Sequence, residues 1–163
     1  MPTHDQHLDQ PFVQHDHESC ISRVSDAVET ACKAQGLRLT KIRRQVLDIL
    51  LLEHKALGAY DVLEHLAKGG QAAHPPVAYR ALDFLVANGF AHKIERLNAF
   101  VACLHPGEGH HAAFMICRSC RKVAETDIHL DDSALIGEAS RLGFQMESAV
   151  VEAEGLCHAC AAA

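Results

Sequence analysis

The 163-residue sequence has no tryptophan, only two tyrosines and six phenylalanines, and no long apolar run. Its longest uninterrupted apolar segment covers residues 112–117, far short of the roughly 20 residues that a membrane-spanning helix needs. The first 18 residues have neither the basic start nor the apolar stretch of a secretory signal. We therefore expect a cytoplasmic protein with no membrane partner.

Positive charge is also scarce, with 15 Lys and Arg against 21 Asp and Glu and a formal net charge of −6. The deficit is uneven, because residues 36–100 carry 9 basic side chains against 6 acidic ones while both flanking segments are acidic. This asymmetry is typical of an anion-binding module joined to an acidic one. A solvated surface gives a bias of this size as well.

Cysteine and histidine, by contrast, are abundant, with 7 and 13 copies. In a reducing compartment this composition favours metal ligation over disulfides. Two Cys-x-x-Cys pairs predict a structural zinc site with four thiolate ligands, namely Cys117, Cys120, Cys157 and Cys160. A redox pair and chance clustering are the alternatives. Of the other cysteines, Cys32 lies on an apolar helical stripe and Cys20 is expected to be a loose thiol.

The first two thirds of the chain have the pattern of a winged helix-turn-helix domain over residues 21–103. Residues 1–20 lack apolar periodicity and are rich in His, which predicts a flexible tail. Helical spacing follows from Val24 to Gly36, from an N-cap at Thr40 to about His54, from Ala59 to the glycines at 69–70, and over 76–88. Two strand-like runs at 90–94 and 99–103 then flank a polar turn, which completes the order of a winged helix.

The final third, residues 104–163, is expected to be a small α+β dimerisation domain. Strands are predicted around Phe114 and Ile116, over 123–128 and over 144–151, with a helix from a cap at 131–133 to Leu142. About 60 residues form a marginal core, so this unit should need a metal, a second subunit or both. The whole chain is therefore predicted to be α+β with two domains.

A second, more diffuse group of metal-ligand residue types lies around the second strand of the wing. Strand periodicity does not select among its members, and exposed histidines beside a half-buried Cys103 explain the pattern equally well. The group comprises His92, Cys103, His105, His110, His111, Glu125, Asp127 and His129.

Several runs in order along the chain resemble the ferric uptake regulator family, most closely its zinc-sensing branch, the zinc uptake regulators. They are LRLTKIRRQVL from residue 37, AYDVL from 59, PPVAYRALDFL from 75 and GFAHKIE from 89, followed by the two cysteine pairs. The resemblance covers roughly residues 22–160. It implies a regulatory zinc site formed by His92, Cys103, His110 and Glu125. The loop before His110 is about one residue shorter than in the family, so His111 and His105 are alternatives for the third ligand.

The donor set itself favours zinc. One thiolate, two imidazoles and one carboxylate form a tetrahedral, partly soft site that suits Zn²⁺, whereas Fe²⁺ and Mn²⁺ sensing favours nitrogen and oxygen ligands in larger number. Cys103 is thus the residue that distinguishes the metals. The protein is expected to hold about two Zn²⁺ per subunit, one structural and one regulatory.

For double-stranded DNA, the resemblance implies that the helix over 76–88 enters the major groove. Arg80 and Tyr79 would face the bases, since Arg to guanine is the commonest specific contact, and Tyr60 would pack on a thymine methyl or the backbone. Lys41, Arg43 and Arg44, in the first turn of an earlier helix, would contact phosphates. Taken singly, Tyr79 could equally belong to the core.

The sequence thus predicts a homodimeric, zinc-responsive repressor of zinc-uptake genes that binds an AT-rich palindromic operator, without catalytic residues or a small-molecule substrate. An iron-, manganese- or peroxide-responsive regulator of the same family is the nearest alternative. A zinc hydrolase with Glu125 as general base is a more distant one, because a catalytic zinc normally keeps an open position for water and no His-Glu-x-x-His pairing is present.

Overall fold

The computed structural model describes Phe12 and residues 16–70, 74–107, 112–127, 134–147 and 149–163. Within these ranges, six α-helices and five strands form an α+β fold, which confirms the predicted fold class. No helix in these ranges has the length and apolar content of a membrane span. The predicted helix cap at 131–133 and residues 1–11 and 13–15 of the expected tail lie outside the described residues.

Helix α1 (His17–Gln35) begins where the sequence predicts a tail. Asp16 caps it by accepting a hydrogen bond from the backbone N–H of Ser19, and Gly36 ends it in a left-handed conformation with φ 66°, which glycine adopts without strain. Residues 17–20 are therefore helical, a correction to the expected tail over 1–20. Cys20 is 2% exposed and packs in the main core, so the expectation of a loose thiol is wrong.

Helices α2 (Lys41–Leu51), α3 (Ala59–Lys68) and α4 (Pro75–Ala87) follow in the predicted order. Thr40 caps α2 as expected, with its side chain accepting from the backbone N–H of Arg43. Prolines occupy the first turn of α4, where a missing N–H costs least. The apolar faces of α2, α3 and α4 pack against α1 in one core. Its fully buried members include Val28, Val46, Leu47, Val62, Leu82, Leu85 and Phe90.

The wing is an antiparallel hairpin of β1 (Ala91–Ile94) and β2 (Ala99–Ala102). A 3₁₀ turn over Glu95–Leu97 joins them, and Asn98 takes the left-handed conformation with φ 46°, which Asn tolerates better than most residues. The segment after α2 pairs with this hairpin through reciprocal backbone hydrogen bonds between Leu57 and Phe100. The wing is therefore anchored to the helices at its base.

A second, three-stranded sheet has the order β4-β3-β5. Strand β3 (Ala112–Cys117) pairs antiparallel with β4 (Val123–Asp127) and parallel with β5 (Val151–Gly155). The strand predicted at 144–151 is wrong, because β5 begins only at Val151. Since a parallel partner must run in the direction of β3, the described part of 144–150 serves as the connection that returns the chain to the start of that strand.

Helix α5 (Ala134–Arg141) and the short α6 (His158–Ala161) complete the fold. Gly143, with φ 66°, follows α5 as the sequence predicts. None of the residues of α5 is fully buried by the described part of the chain. Large apolar side chains are exposed on and around this unit, namely Met115, Leu135, Leu142, Phe144, Val150 and Leu156.

Candidate metal centres and nucleic-acid interface

The four cysteines of the two Cys-x-x-Cys pairs come together at one end of the three-stranded sheet. Cys117 ends β3, Cys120 lies in the turn toward β4, and Cys157 and Cys160 follow β5. Their four sulfur atoms all lie within 4.8 Å of one another. The parallel pairing of β3 with β5 sets this geometry, because it places Cys117 opposite Gly155. The donor set fits a tetrahedral four-thiolate metal site.

The environment of this cluster already favours one thiolate. Hydrogen bonds from the backbone N–H groups of Cys120 and Cys157 lower the pKa of Cys117 to about 6, because they stabilise the charged form. For Cys160, a hydrogen bond with Ser119 lowers the pKa, but hydrogen bonds with Cys157 and the other thiols, together with desolvation, raise it to about 11. Several thiolates this close need a cation to share their charge.

A second cluster lies where the wing meets the second sheet. His92 comes from β1, Cys103 from the residue after β2, and Glu125 from β4, and their potential ligand atoms lie within 4.8 Å of one another. The backbone carbonyl of Phe90 accepts a hydrogen bond from Cys103 N at 3.0 Å, which continues the hairpin register past the end of β2. Three of the four side chains expected at the regulatory site thus lie in one cluster.

Glu125 is the centre of that cluster, and its side chain is only 3% exposed. One carboxylate oxygen lies 3.0 Å from His92 Nε2 and 3.6 Å from Cys103 Sγ, and the other accepts a hydrogen bond from Leu104 N at 2.9 Å. Such partners are what a buried carboxylate requires. The arrangement presents an imidazole, a thiol and a carboxylate to a single point, a set that fits zinc.

Of the other members of the diffuse group, the structure describes His105 and Asp127, and neither belongs to this cluster. His105 is exposed, and Asp127 lies at the end of β4, also exposed. His110, expected as the third ligand, its alternative His111, and His129 lie outside the described residues. Their roles therefore stay predictions.

Contacts that the sequence did not predict also cross from the wing to β5. The carboxylate of Glu152 accepts hydrogen bonds from the backbone N–H groups of Glu95 at 2.7 Å and Arg96 at 3.0 Å. The guanidinium of Arg96 pairs with Glu154 through two bonds of 3.0 and 3.2 Å. No short motif marks these residues, because the pairing depends on the tertiary placement of β5 beside the turn of the wing.

Helix α4 has one buried face and one open face. Ala78, Ala81, Leu82 and Leu85 are buried, whereas Tyr79 is 42% exposed and Arg80 is exposed. Tyr79 therefore does not belong to the core. Tyr60, in the first turn of α3, is 73% exposed. Val77, three positions before Arg80, is 36% exposed.

The three basic residues at the start of α2 differ in their exposure and in their contacts with the rest of the chain. Lys41 is exposed. Arg43 donates to the carbonyl of Arg38 at 2.6 Å and stacks over Phe84, with its guanidinium carbon 3.6 Å from the ring centre. Arg44 pairs with Glu29 and, at 2.9 Å, with Asp48, and Asp48 lies one turn along the same helix. Of the three, Lys41 is best placed to meet an external phosphate.

The structure combines a helical domain with an exposed face on α4, a β-hairpin wing and clusters of metal-ligand side chains. Together these features define a metal-binding winged-helix protein. The profile of the ferric uptake regulator family matches residues 34–153, and the chain belongs to this family.

Individual relatives and solved structures agree with this assignment. The chain is 39% identical over 133 residues to the zinc uptake regulation protein of Escherichia coli strain K12, covering 81% of this chain and 78% of that protein. It is similar to the crystal structure of holo XcZur, with a TM-score of 0.77, 46% identity and coverage of 88% of this chain and 99% of the other. A zinc uptake regulator complexed with zinc and DNA gives a TM-score of 0.78, with 34% identity and coverage of 91% and 97%.

Proposed function

We propose that this protein is a zinc-responsive, DNA-binding transcriptional regulator of the cytoplasm. With Zn²⁺ bound, it binds an AT-rich palindromic operator as a homodimer and represses zinc-uptake genes. The proposal is supported by the family membership, by the zinc uptake regulation protein among the relatives, and by the zinc and DNA in a similar solved complex. The family favours a regulator over a zinc hydrolase.

The observation that carries the proposal is the position of the His92, Cys103 and Glu125 cluster. Two of its residues belong to the wing segment and one to the second sheet. A Zn²⁺ ion held by these side chains, with His110 as the fourth ligand, would join the winged-helix domain to the unit that we assign to dimerisation. If the joined arrangement is also the one that DNA prefers, zinc and DNA tighten each other's binding by the same factor.

Cys103 favours zinc over the iron, manganese and peroxide alternatives. Its thiol is fully buried, so a soft sulfur ligand is built into the site and is not an incidental neighbour. Zinc accepts such mixed sulfur, nitrogen and oxygen sets in tetrahedral geometry. Cobalt substitution tests this assignment in a variant that lacks Cys117, Cys120, Cys157 and Cys160, where thiolate charge-transfer absorption that disappears on further mutation of Cys103 to Ser identifies Cys103 as a ligand.

We further propose that Cys117, Cys120, Cys157 and Cys160 hold a structural zinc, which would supply folding energy to a unit with a small core.

The exposed apolar side chains of that unit, among them Leu135, Leu142, Phe144 and Val150, support a homodimer interface, since large exposed apolar patches mark interaction surfaces. Sedimentation of the purified chain measures the oligomeric state, and a monomer at micromolar concentration would overturn this part of the proposal.

On the DNA side, α4 is proposed as the recognition helix, with Arg80 and Tyr79 toward the bases and Tyr60 beside them. Lys41 is proposed as a phosphate contact. Arg43 and Arg44 have intramolecular partners that hold their guanidinium groups in place. They are therefore proposed as weaker contributors than Lys41.

The test is operator binding at fixed salt while buffered free zinc is titrated, with iron and manganese titrated in parallel. Salt must be fixed because phosphate contacts make the affinity depend on it. Selective tightening by zinc supports the proposal. Tightening by iron or manganese alone would move the protein to the alternative sensors, and binding that no metal alters would remove metal control. Cys103→Ser is the matched variant and should lose the response to zinc.

A further inference from the structure

A third cluster of metal-ligand side chains lies between α1 and the segment after α2. It consists of His17, Cys20 and His54, and one potential ligand atom from each lies within 4.8 Å of the other two. His17 and Cys20 are three positions apart in the first turn of α1, so they share one face of the helix. Neither of the two sites proposed above includes any of these residues.

Hydrogen bonding orients the His17 ring for ligation. Its Nε2 lies 2.9 Å from the backbone carbonyl of Leu52, and because a carbonyl only accepts, Nε2 carries the proton. The lone pair is then on Nδ1, an atom that is buried. Metal-bound histidines characteristically donate their second ring N–H to a backbone carbonyl or carboxylate, which fixes the tautomer and orients the ring.

The other two side chains suit the same role. Cys20 is 2% exposed, so its sulfur is held in place by the core around it. The His54 ring lies edge-on to that of His17, with ring centres 4.8 Å apart and planes at 61°. Two imidazoles and one thiolate are good ligands for Zn²⁺, whose bonds to them are about 2.0–2.3 Å. Ligand atoms already within 4.8 Å of one another need only small side-chain movements to reach that geometry.

We propose that His17, Cys20 and His54 form a third Zn²⁺ site. Three protein ligands leave one coordination position to water, so this ion should exchange more readily than one held by four thiolates.

An ion at this site would brace α1 against the junction between the winged helix and the second sheet. The backbone carbonyl of His54 accepts a hydrogen bond from Val123 N at 2.9 Å, at the start of β4. Farther along α1, Arg23 donates to the carbonyl of Leu104 at 3.2 Å, next to Cys103. The third site therefore lies beside the segments that carry the proposed regulatory cluster.

The experiment compares zinc bound per subunit, measured after equilibrium dialysis of the full-length dimer against buffered zinc. Cys20→Ala and His54→Gln each remove one ligand. Cys32→Ala is the matched control, because Cys32 lies on the same helix and is 3% exposed but belongs to none of the clusters. We expect Cys20→Ala and His54→Gln to bind one equivalent less than the parent chain, and Cys32→Ala to bind the same amount as the parent.

The difference between variants is independent of how many ions occupy the other sites, so failure of the proposed regulatory function would not mimic failure of this one. A second readout uses Co²⁺ as the probe. Loss of part of the thiolate charge-transfer absorption in Cys20→Ala, but not in Cys32→Ala, identifies the sulfur ligand. Equal zinc content in the parent, Cys20→Ala and His54→Gln would overturn the proposal. If Cys20→Ala does not fold, His54→Gln alone decides, because its side chain is only partly buried.

Discussion

Replacing Glu125 by Gln separates two tasks that this buried side chain is proposed to perform. Its carboxylate accepts a hydrogen bond from Leu104 N and lies beside His92 Nε2 and Cys103 Sγ. The first contact stabilises the chain segment after the wing, and the other two define the proposed metal site. An amide of the same shape retains an acceptor for Leu104 but is a much weaker zinc ligand than a carboxylate.

The expected magnitudes differ for the two tasks. Even loss of an outer-shell partner of a metal ligand lowers affinity about 10- to 100-fold, so loss of a direct ligand should weaken zinc binding at the regulatory site at least about tenfold, or 1.4 kcal/mol. In Glu125→Gln, the free energy of unfolding of the metal-free protein should fall by only about 1 kcal/mol, because one charged acceptor becomes neutral. Glu125→Ala leaves the Leu104 N–H without its acceptor, at an additional cost of about 1–3 kcal/mol.

Zinc affinity is measured by competition with a chromophoric chelator, and stability by urea unfolding in zinc-free buffer. Glu64→Gln is the control, since Glu64 is an exposed residue of α3 whose partner is Lys68, one turn along the same helix. It should match the parent chain in both assays. The reasoning is refuted if Glu125→Gln binds zinc as tightly as the parent, or if it destabilises the protein as much as Glu125→Ala.

Three further predictions concern the other sites. Cys117→Ser should lower zinc content by one equivalent and reduce thermal stability, whereas Cys32→Ser should leave zinc content unchanged; equal zinc contents would contradict the four-cysteine assignment. Zinc binding to the metal-free four-cysteine cluster at about pH 7.5 should release fewer than four protons, because the pKa of Cys117 is about 6 and its thiol has already ionised, while Cys160, with a pKa of about 11, still holds its proton. Calorimetry in buffers of different ionisation enthalpy counts these protons, and release of four would contradict the hydrogen-bonding account of Cys117. Arg80→Ala should cost about 1–3 kcal/mol of operator affinity and relax specificity at one position, whereas Lys41→Ala should weaken all sequences alike and reduce the salt dependence; equal losses on operator and random DNA for both variants would contradict this division.

The winged helix could be predicted from the sequence because its signals are local. The apolar spacing of α2 and α4, the N-cap at Thr40 and the prolines at the start of α4 each act within one or two turns. The two cysteine pairs are equally direct, since their spacing alone limits the chemistry.

Strand β5 and the start of α1 were mispredicted because their causes are not local. β5 is an edge strand whose last three residues are exposed, so it lacks the alternating pattern that marks a half-buried strand, and its partner β3 is distant in sequence. The first turn of α1 is stabilised by contacts of His17 with Leu52 and His54. Periodicity within the segment itself does not contain this information.

The proposed regulatory cluster shows the same limit. Strand periodicity did not select its members from the eight residues considered, because His92, Cys103 and Glu125 come from three strand segments that only the tertiary fold brings together. The family resemblance identified these three, and the structure places them side by side. The cluster of His17, Cys20 and His54 was missed, although the three-residue spacing of His17 and Cys20 was visible once the helix was extended to its true start.

The most direct test of the central claim is a thermodynamic cycle that links zinc and DNA. Zinc affinity of the proposed regulatory site is measured with and without saturating operator, and operator affinity with and without saturating zinc, at one salt concentration. If the ion joins the winged-helix domains to the proposed dimerisation unit, both affinities rise by the same factor, as linkage requires. The Cys103→Ser substitution then reduces that factor to one. Zinc affinity that operator DNA leaves unchanged would contradict the account.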